Sequence, residues 1–520
     1  MNKTYRLIWS RVKQAWIVVA EKVAAKGCIP TTVSLAAALL LATATANALP
    51  TGPQVISGTA GIATSGSTMT ITNSHNAIIN WQGFNIGANE TTRFVQPSAL
   101  SSVLNRVTAG NPSQILGALQ SNGKVLLINP SGIIFGPNAR VDVNGLIASS
   151  LDIANQDFLA GRMRFNAGPL AGKVENQGVI TTPSGGQVYL IAADVENSGV
   201  ITAPNGDVLL AAGKEVLLVD SNSPEIALVV AAPDGQSLNL GTIVADAGRV
   251  GMYGSVVRQR GRISADSAVA EGGKIFLRAT KQATLEQDSV TTATGTKGGT
   301  VQVLGQHAGL LDNAAVDVSG TNGGGTVLVG GDYKGRTLSG VEGEIIPNAQ
   351  ATYMGKDTVI KADATDNGNG GKVILWADDV TRVYGSISAR GGATGGDGGF
   401  VETSGKNYLD FNAYVNTLAP FGKAGMLLLD PTNIWIAIDQ ASATTAGMLG
   451  TDSSVTTNGG PDFAASGTVD NSLLTVSALQ TALVGGNVTV TTTNASGNGA
   501  GDITVVDPVN FASNNLTLNA

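Results

Sequence analysis

The chain has 520 residues, 68 of them glycine, with 43% hydrophobic, 13% charged and 5% aromatic residues and a net charge of −7. That length can bury a large core. Glycine far above the usual ~7%, without a G-X-Y period, excludes collagen and favours an all-β chain with many tight turns, and the acidic balance argues against nucleic acid or an anionic lipid surface as main partner.

The first 48 residues differ from the rest. Lys3, Arg6, Arg11, Lys13, Lys22 and Lys26 oppose Glu21 alone, and the apolar run "VSLAAALLLA" (33–42) follows. At ~10 residues this run is too short to span a bilayer, which takes ~20. Ala46-Asn47-Ala48 then supplies a small-x-small cleavage site, so residues 1–48 read as a signal peptide with a long basic front end and the mature chain is expected to start at Leu49. Cleavage removes Cys28, the single cysteine, and takes the net charge from −7 to −12. An exported chain without cysteine cannot be locked by disulfides on its way out. No later apolar segment reaches transmembrane length.

From residue 126, "LLINPSGIIFGPNARVDVNGLIASSLDI" alternates short β runs with Asn-Pro, Ser-Gly, Gly-Pro-Asn and Asn-Gly. Pro130 fixes φ, Gly132 permits a corner and Asn144-Gly145 suits a further tight turn. Two near-identical units follow, "VENQGVITTPSGGQVYLIAAD" at Val174 and "VENSGVITAPNGDVLLAAG" at Val195, 21 residues later. Glycine pairs then precede β runs at Gly272, Gly298, Gly324, Gly370 and Gly398, at intervals of 26, 26, 46 and 28, and the 46 reads as two coils. Periods of 20–30 with β-branched runs predict a solenoid. Leucine-rich and helical repeats lack their signatures, and a β-propeller would need ~40–45 residues per blade. The expected fold is therefore all-β, a right-handed parallel β-helix with N-terminal capping strands. Val301 and Val303 should stack inside on Val327 and Val329, with glycine and asparagine supplying φ > 0 corners.

Four long words in a fixed order carry a resemblance: "INWQGFNIG" (79–87), "FVQP" (94–97), "NRVTAGNPSQI" (105–115) and "INPSGIIFG" (128–136). They resemble the N-terminal secretion domain of two-partner secretion exoproteins of the filamentous haemagglutinin and high-molecular-weight adhesin type. The front end resembles the extended signal peptide of very large exported proteins. The resemblance implies a secreted or cell-surface passenger that crosses the periplasm. An outer-membrane transporter, through periplasmic modules and a barrel, recognises its N-terminal domain. It also implies a role in secretion for Asn129, Pro130, Ser131, Gly132 and Ile133, and for Asn111 and Pro112. The haemolysin branch's additional Asn-Pro-Asn-Leu word is missing, which favours adhesin-type relatives. The expected division is a signal peptide over 1–48, a secretion domain over 49–310, a repeat continuation over 311–424 and further β repeats over 425–520. The ending at "LTLNA" lacks a cap and suggests the front part of a longer protein or a truncated gene product.

Catalysis has little support. Asp317, Asp363 and Asp397 recur where turns are expected, His75 and His307 stand far apart in sequence, and no phosphate loop or calcium repeat is formed. No catalytic residue, metal or cofactor is expected. The leading reading is a non-enzymatic adhesin-type passenger with a host-cell or surface ligand. The alternative is a haem- or nutrient-binding exoprotein, or one with enzymatic activity further downstream.

Overall fold

β-branched runs of three to six residues are too short to fold alone, and they become stable by stacking. The computed structural model describes residues 5–10, 15–20, 48–219, 226–231, 234–340, 343–449, 463, 471–492 and 500–520. The chain divides into two units, Met1–Ala46 and Asn47–Ala520. In the first, Tyr5–Ser10 and Ala15–Ala20 form an antiparallel pair. The apolar run 33–42, Cys28 and Ala46 lie outside the described residues.

The second unit is a parallel β-helix with three strand-bearing faces. The first face stacks Gln187–Ala192 on Asp207–Ala212, the second Val174–Asn176 on Val195–Asn197, the third Val179–Thr181 on Val200–Thr202. The sequence repeat is thus the structural register, with Val174, Glu175 and Asn176 lying on Val195, Glu196 and Asn197. Val301 and Val303 stack on Val327 and Val329 as expected, all four fully buried in one continuous core. The N-terminal end is capped by antiparallel strands, Ala60–Ser65 with Thr68–Asn73 and Gln54–Ser57 with Ala77–Trp81. Trp81, Phe84 and Phe94 fill that end, with ring centroids 5.6 Å and 6.4 Å apart.

Two expectations need correction. The 46-residue interval is one coil, because Thr326–Val329 pairs directly with Lys372–Ala377. The surplus forms an excursion over 331–349, with a 3-10 turn at Tyr333–Gly335 and the short pair Leu338–Ser339 and Ile345–Ile346. Asn144-Gly145 makes no tight turn. It lies inside the strand Arg140–Ser149, which bends there from the third face to the first. Glycine and asparagine supply corners with positive φ as expected, at Gly132 (φ +109°), Gly185 (φ +79°) and Asn205 (φ +49°), while the glycine pairs serve a different purpose. A Cβ on Gly299 would lie 2.1 Å from the carbonyl oxygen of Gly273, and one on Gly325 2.2 Å from that of Gly299. Glycine is required there because adjacent coils touch backbone to backbone.

One ladder of inward polar side chains is satisfied by stacking. Asn176 Nδ2 donates to Asn197 Oδ1 (2.8 Å), Asn197 Nδ2 to Asn239 Oδ1 (2.7 Å) and Asn239 Nδ2 to Gln259 Oε1 (2.7 Å). All four side chains are fully buried, so each coil completes the hydrogen bonding of the last. Asp317 acts as a turn residue, accepting from the Ser319 amide, whereas Asp397 and Asp363 bridge to the next coil, Asp397 accepting from the Lys423 amide and Asp363 from the Arg390 amide and guanidinium.

The outer side of the first face carries two covers. The first includes the helix Asn155–Leu159 and the sheet of Arg164–Asn166, Glu215–Leu218 and Ala227–Ala231. Phe158, Phe165 and Val216 close a second apolar core there over Leu126, Tyr189 and Leu209. The second is the 331–349 excursion, which packs Leu338 with Leu328, Ile374 and Trp376. The Lys334 amide donates to both oxygens of fully buried Glu402 (3.1 and 3.2 Å). Burial, with Asp430 nearby, pushes the Glu402 carboxyl up to about 7. Asp332, also buried, accepts from Lys372 Nζ at 2.5 Å and pairs with Arg336.

Towards the C-terminus the helix Val476–Gly485 packs beside Tyr414–Asn416, and Thr417 donates its amide to the Gly485 carbonyl (2.7 Å). Its Leu479 and Leu483 enter the main core.

Candidate functional site

The two Asn-Pro words occupy successive coils at the corner between the first and second faces. Each is followed by a three-residue strand, Ser113–Ile115 and Ile133–Phe135. These pair in parallel with Ile133 opposite Ser113. The corner at 129–132 is a hydrogen-bonded turn in which the Gly132 amide donates to the Asn129 carbonyl (2.9 Å). Asn at the first position, Pro at the second and Gly at the fourth suit such a turn.

Asn129 is fully buried and joins the two words. Its Nδ2 donates to the Asn111 carbonyl (3.0 Å) and to Ser113 Oγ (3.0 Å), and its Oδ1 accepts from the Ser131 amide (2.9 Å). The Ser113 amide also donates to the Gly132 carbonyl (3.0 Å). On the other side the Gly172 amide donates to the Pro130 carbonyl (2.8 Å) and Ile133 donates to the Lys173 carbonyl (3.1 Å). Gly132 has φ +109°, and a Cβ there would lie 2.7 Å from the Lys173 carbonyl oxygen. The structure therefore brings all seven residues marked by the sequence into one corner and divides them by exposure. Asn129, Gly132 and Ile133 are buried, Pro130 and Ser131 are half-buried, and Asn111 and Pro112 are exposed.

Sequence reasoning missed the polar residues that tie the other words together. Asn105 Oδ1 accepts from Trp81 Nε1 (3.0 Å) and its Nδ2 donates to the Leu126 carbonyl (3.3 Å). Arg106 donates to Asp152 Oδ1 (2.9 Å), Asn155 Oδ1 (2.9 Å) and the Ile153 carbonyl (2.7 Å), fixing the start of the first cover. Glu90 is nearly buried, accepts from the Gly87 amide (2.9 Å) and holds the Ala48 amide at 3.0 and 3.1 Å. For Asn105 and Arg106 the signal is a polar residue inside an otherwise apolar β run, whereas Glu90 lies in a polar loop that carries no such signal. No helix among the described residues is long and apolar enough to cross a membrane.

Comparison with known proteins places this geometry. Residues 46–325 match the TPS secretion domain, and residues 1–50 match the extended signal peptide of type V secretion systems. The crystal structure of the HMW1 secretion domain from Haemophilus influenzae is similar at 36% identity and a TM-score of 0.64, over 72% of this chain and 100% of that one. Two Haemophilus influenzae proteins named heme/hemopexin-binding protein are 45% identical over 111 residues (21% of this chain) and 44% identical over 80 residues (15%). Those matches span 12% and 9% of the relatives' own lengths. Since more than half of the sequence lies within the secretion-domain model and its front end within the signal-extension model, the chain belongs to the TPS secretion domain family, the exported partners of two-partner systems, which travel through the periplasm to the cell surface or medium with an outer-membrane transporter.

Proposed function

We propose that the Asn-Pro corner is the part of the domain on which export depends, read by the periplasmic modules and barrel of the transporter. The observation that supports this reading is the direct bonding of the two words through Asn129, which makes them one surface instead of two turns. Asn129, Gly132 and Ile133 shape that surface, while Asn111, Pro112, Pro130 and Ser131 present it. Export measured beside its own transporter tests this. Pro112→Ala and Ser131→Ala should lower export while the purified chain keeps its stability, and wild-type export from both would sink the reading.

The passenger itself is read as a non-enzymatic adhesin with a host-cell or surface ligand. The secretion-domain family is not an enzyme family, and the aspartates that recur along the coils are engaged as structural acceptors, Asp317 within its turn and Asp363 and Asp397 towards the next coil. A second reading, haem or hemopexin binding, is favoured by the printed names of the two relatives. Binding of haemin and hemopexin to the exported chain, set beside adhesion to host cells, separates the two. The boundaries at 310 and 424, and cleavage at the Ala46-Asn47-Ala48 site, stand as parts of this proposal.

A further inference from the structure

The two covers on the first face leave a gap between them. Its floor is a row of neighbouring residues on successive coils, Tyr253 beside Arg278 beside Leu304. One end is closed by Ala227 of the first cover and the other by Glu344, Ile346, Pro347 and Asn348 of the second. The resulting cleft has a volume of about 470 Å³, within the range of small-molecule sites.

Its chemistry is mixed and nearly balanced in charge. The lining contains one guanidinium, Arg278, and one carboxylate, Glu344. Arg278 is held in orientation, since it lies 5.6 Å from the centroid of the Phe276 ring and donates to Gln302 Oε1 (3.2 Å). Gln306 and Gln350 stand on consecutive coils at the mouth, linked by a backbone bond from the Gln350 amide to the Gln306 carbonyl (2.8 Å). Both are exposed, and neither carboxamide has a hydrogen-bond partner among the described residues. Two adjacent uncommitted amides offer donors and acceptors side by side, which matches vicinal hydroxyls. Tyr253, Leu304, Ile346 and Pro347 supply apolar surface for C–H groups.

We propose that this cleft binds a neutral saccharide of one or two residues. A phosphate or carboxylate ligand fits less well, because the single cation is matched by an acid. A long acyl chain fits less well, because carboxamides and a hydroxyl, Thr280, interrupt the apolar lining. The site is built from coils well beyond the Asn-Pro corner and shares no residue with it, so the proposal is independent of the export reading.

The test uses the full exported chain and saturation-transfer NMR with maltose, lactose and N-acetyllactosamine as neutral probes, and sialyllactose and a short neutral peptide as controls. At least one neutral sugar should bind with Kd below about 10 mM. Gln306→Ala and Gln350→Ala should each weaken it about fivefold, the worth of one hydrogen bond. Thr280→Trp, which fills the exposed rim, should abolish it. All three variants should be exported and should unfold as wild type. Absence of binding by every neutral sugar, binding that survives Thr280→Trp, or binding of sialyllactose or peptide alone would overturn the proposal.

Discussion

Replacing Asn129 by alanine tests whether the corner is held as the geometry indicates. The change removes two donated bonds, to the Asn111 carbonyl and Ser113 Oγ, and one accepted from the Ser131 amide. The side chain is fully buried, so bulk water does not replace it. At about 1 kcal/mol net per bond, the corner should lose about 3 kcal/mol. Pro130→Ala, which changes mainly the entropy of the unfolded chain, should cost ~1 kcal/mol. Because a solenoid opens locally, hydrogen exchange at the Gly132 and Ile133 amides is the suitable readout. A loss of 3 kcal/mol corresponds to exchange about a hundredfold faster at those amides, with the amides of Val301 and Val327 unchanged. Export beside the transporter should fall in parallel. Wild-type exchange at Gly132 and Ile133 would refute the bonding argument. Fast exchange with undiminished export would refute the assignment of the corner to secretion.

Gly132→Ala should be as damaging as Asn129→Ala, since the new Cβ meets the Lys173 carbonyl; equal urea midpoints for it and wild type would contradict this. Asn197→Leu should destabilise the chain by about 2–4 kcal/mol by stranding the amides of Asn176 and Asn239, seen in denaturation and as faster exchange at both neighbouring coils. Glu402 holds its proton up to about pH 7 when folded but only to about 4.5 when unfolded, so its contribution, about 3 kcal/mol, is complete below pH 4.5 and is lost as pH rises through 7. Glu402→Gln should therefore raise the unfolding midpoint at pH 8 and leave it unchanged near pH 4.5; an equal shift at both values would refute the buried carboxyl's role. N-terminal sequencing of exported protein should begin at Leu49, one residue beyond the amide that Glu90 holds. A start at Asn47 would move the site and keep that contact, and a start at Met1 would remove the signal-peptide argument.

The coil was legible because stacking imposes the same demands at every turn. Val174 lies on Val195 and Val301 on Val327, so the inward residues repeat with the period of the coil. The glycine pairs repeat for a related reason that the sequence alone hides. Gly299 and Gly325 are fixed by the backbone of the coil beside them, a contact with no local signature. What does not repeat was not legible. The excursion over 331–349 touches one place on one face, and its length is indistinguishable from a second coil until Thr326 is seen paired with Lys372. The helix Val476–Gly485 is likewise a single departure from the β pattern, placed by Leu479 and Leu483 entering a core that strands had built.

The candidate site shows the same division on a smaller scale. Asn111 and Asn129 look equivalent in sequence, each followed by Pro-Ser, yet one is exposed and the other fully buried. The difference arises from the chain that follows each. After Ser131 comes Gly132, which lets Gly172 and Lys173 close over the second corner, whereas Gln114 follows Ser113 and Asn111 and Pro112 of the first corner stay exposed. The buried asparagine then spends its amide on the exposed word, so that Asn111 and Pro112 are held by a residue 18 positions later in the chain. A motif read as one address is therefore two parts with different work. The outer part can meet a partner only while the inner part keeps it in place, and variants on the two should separate by stability even where they agree in lost export.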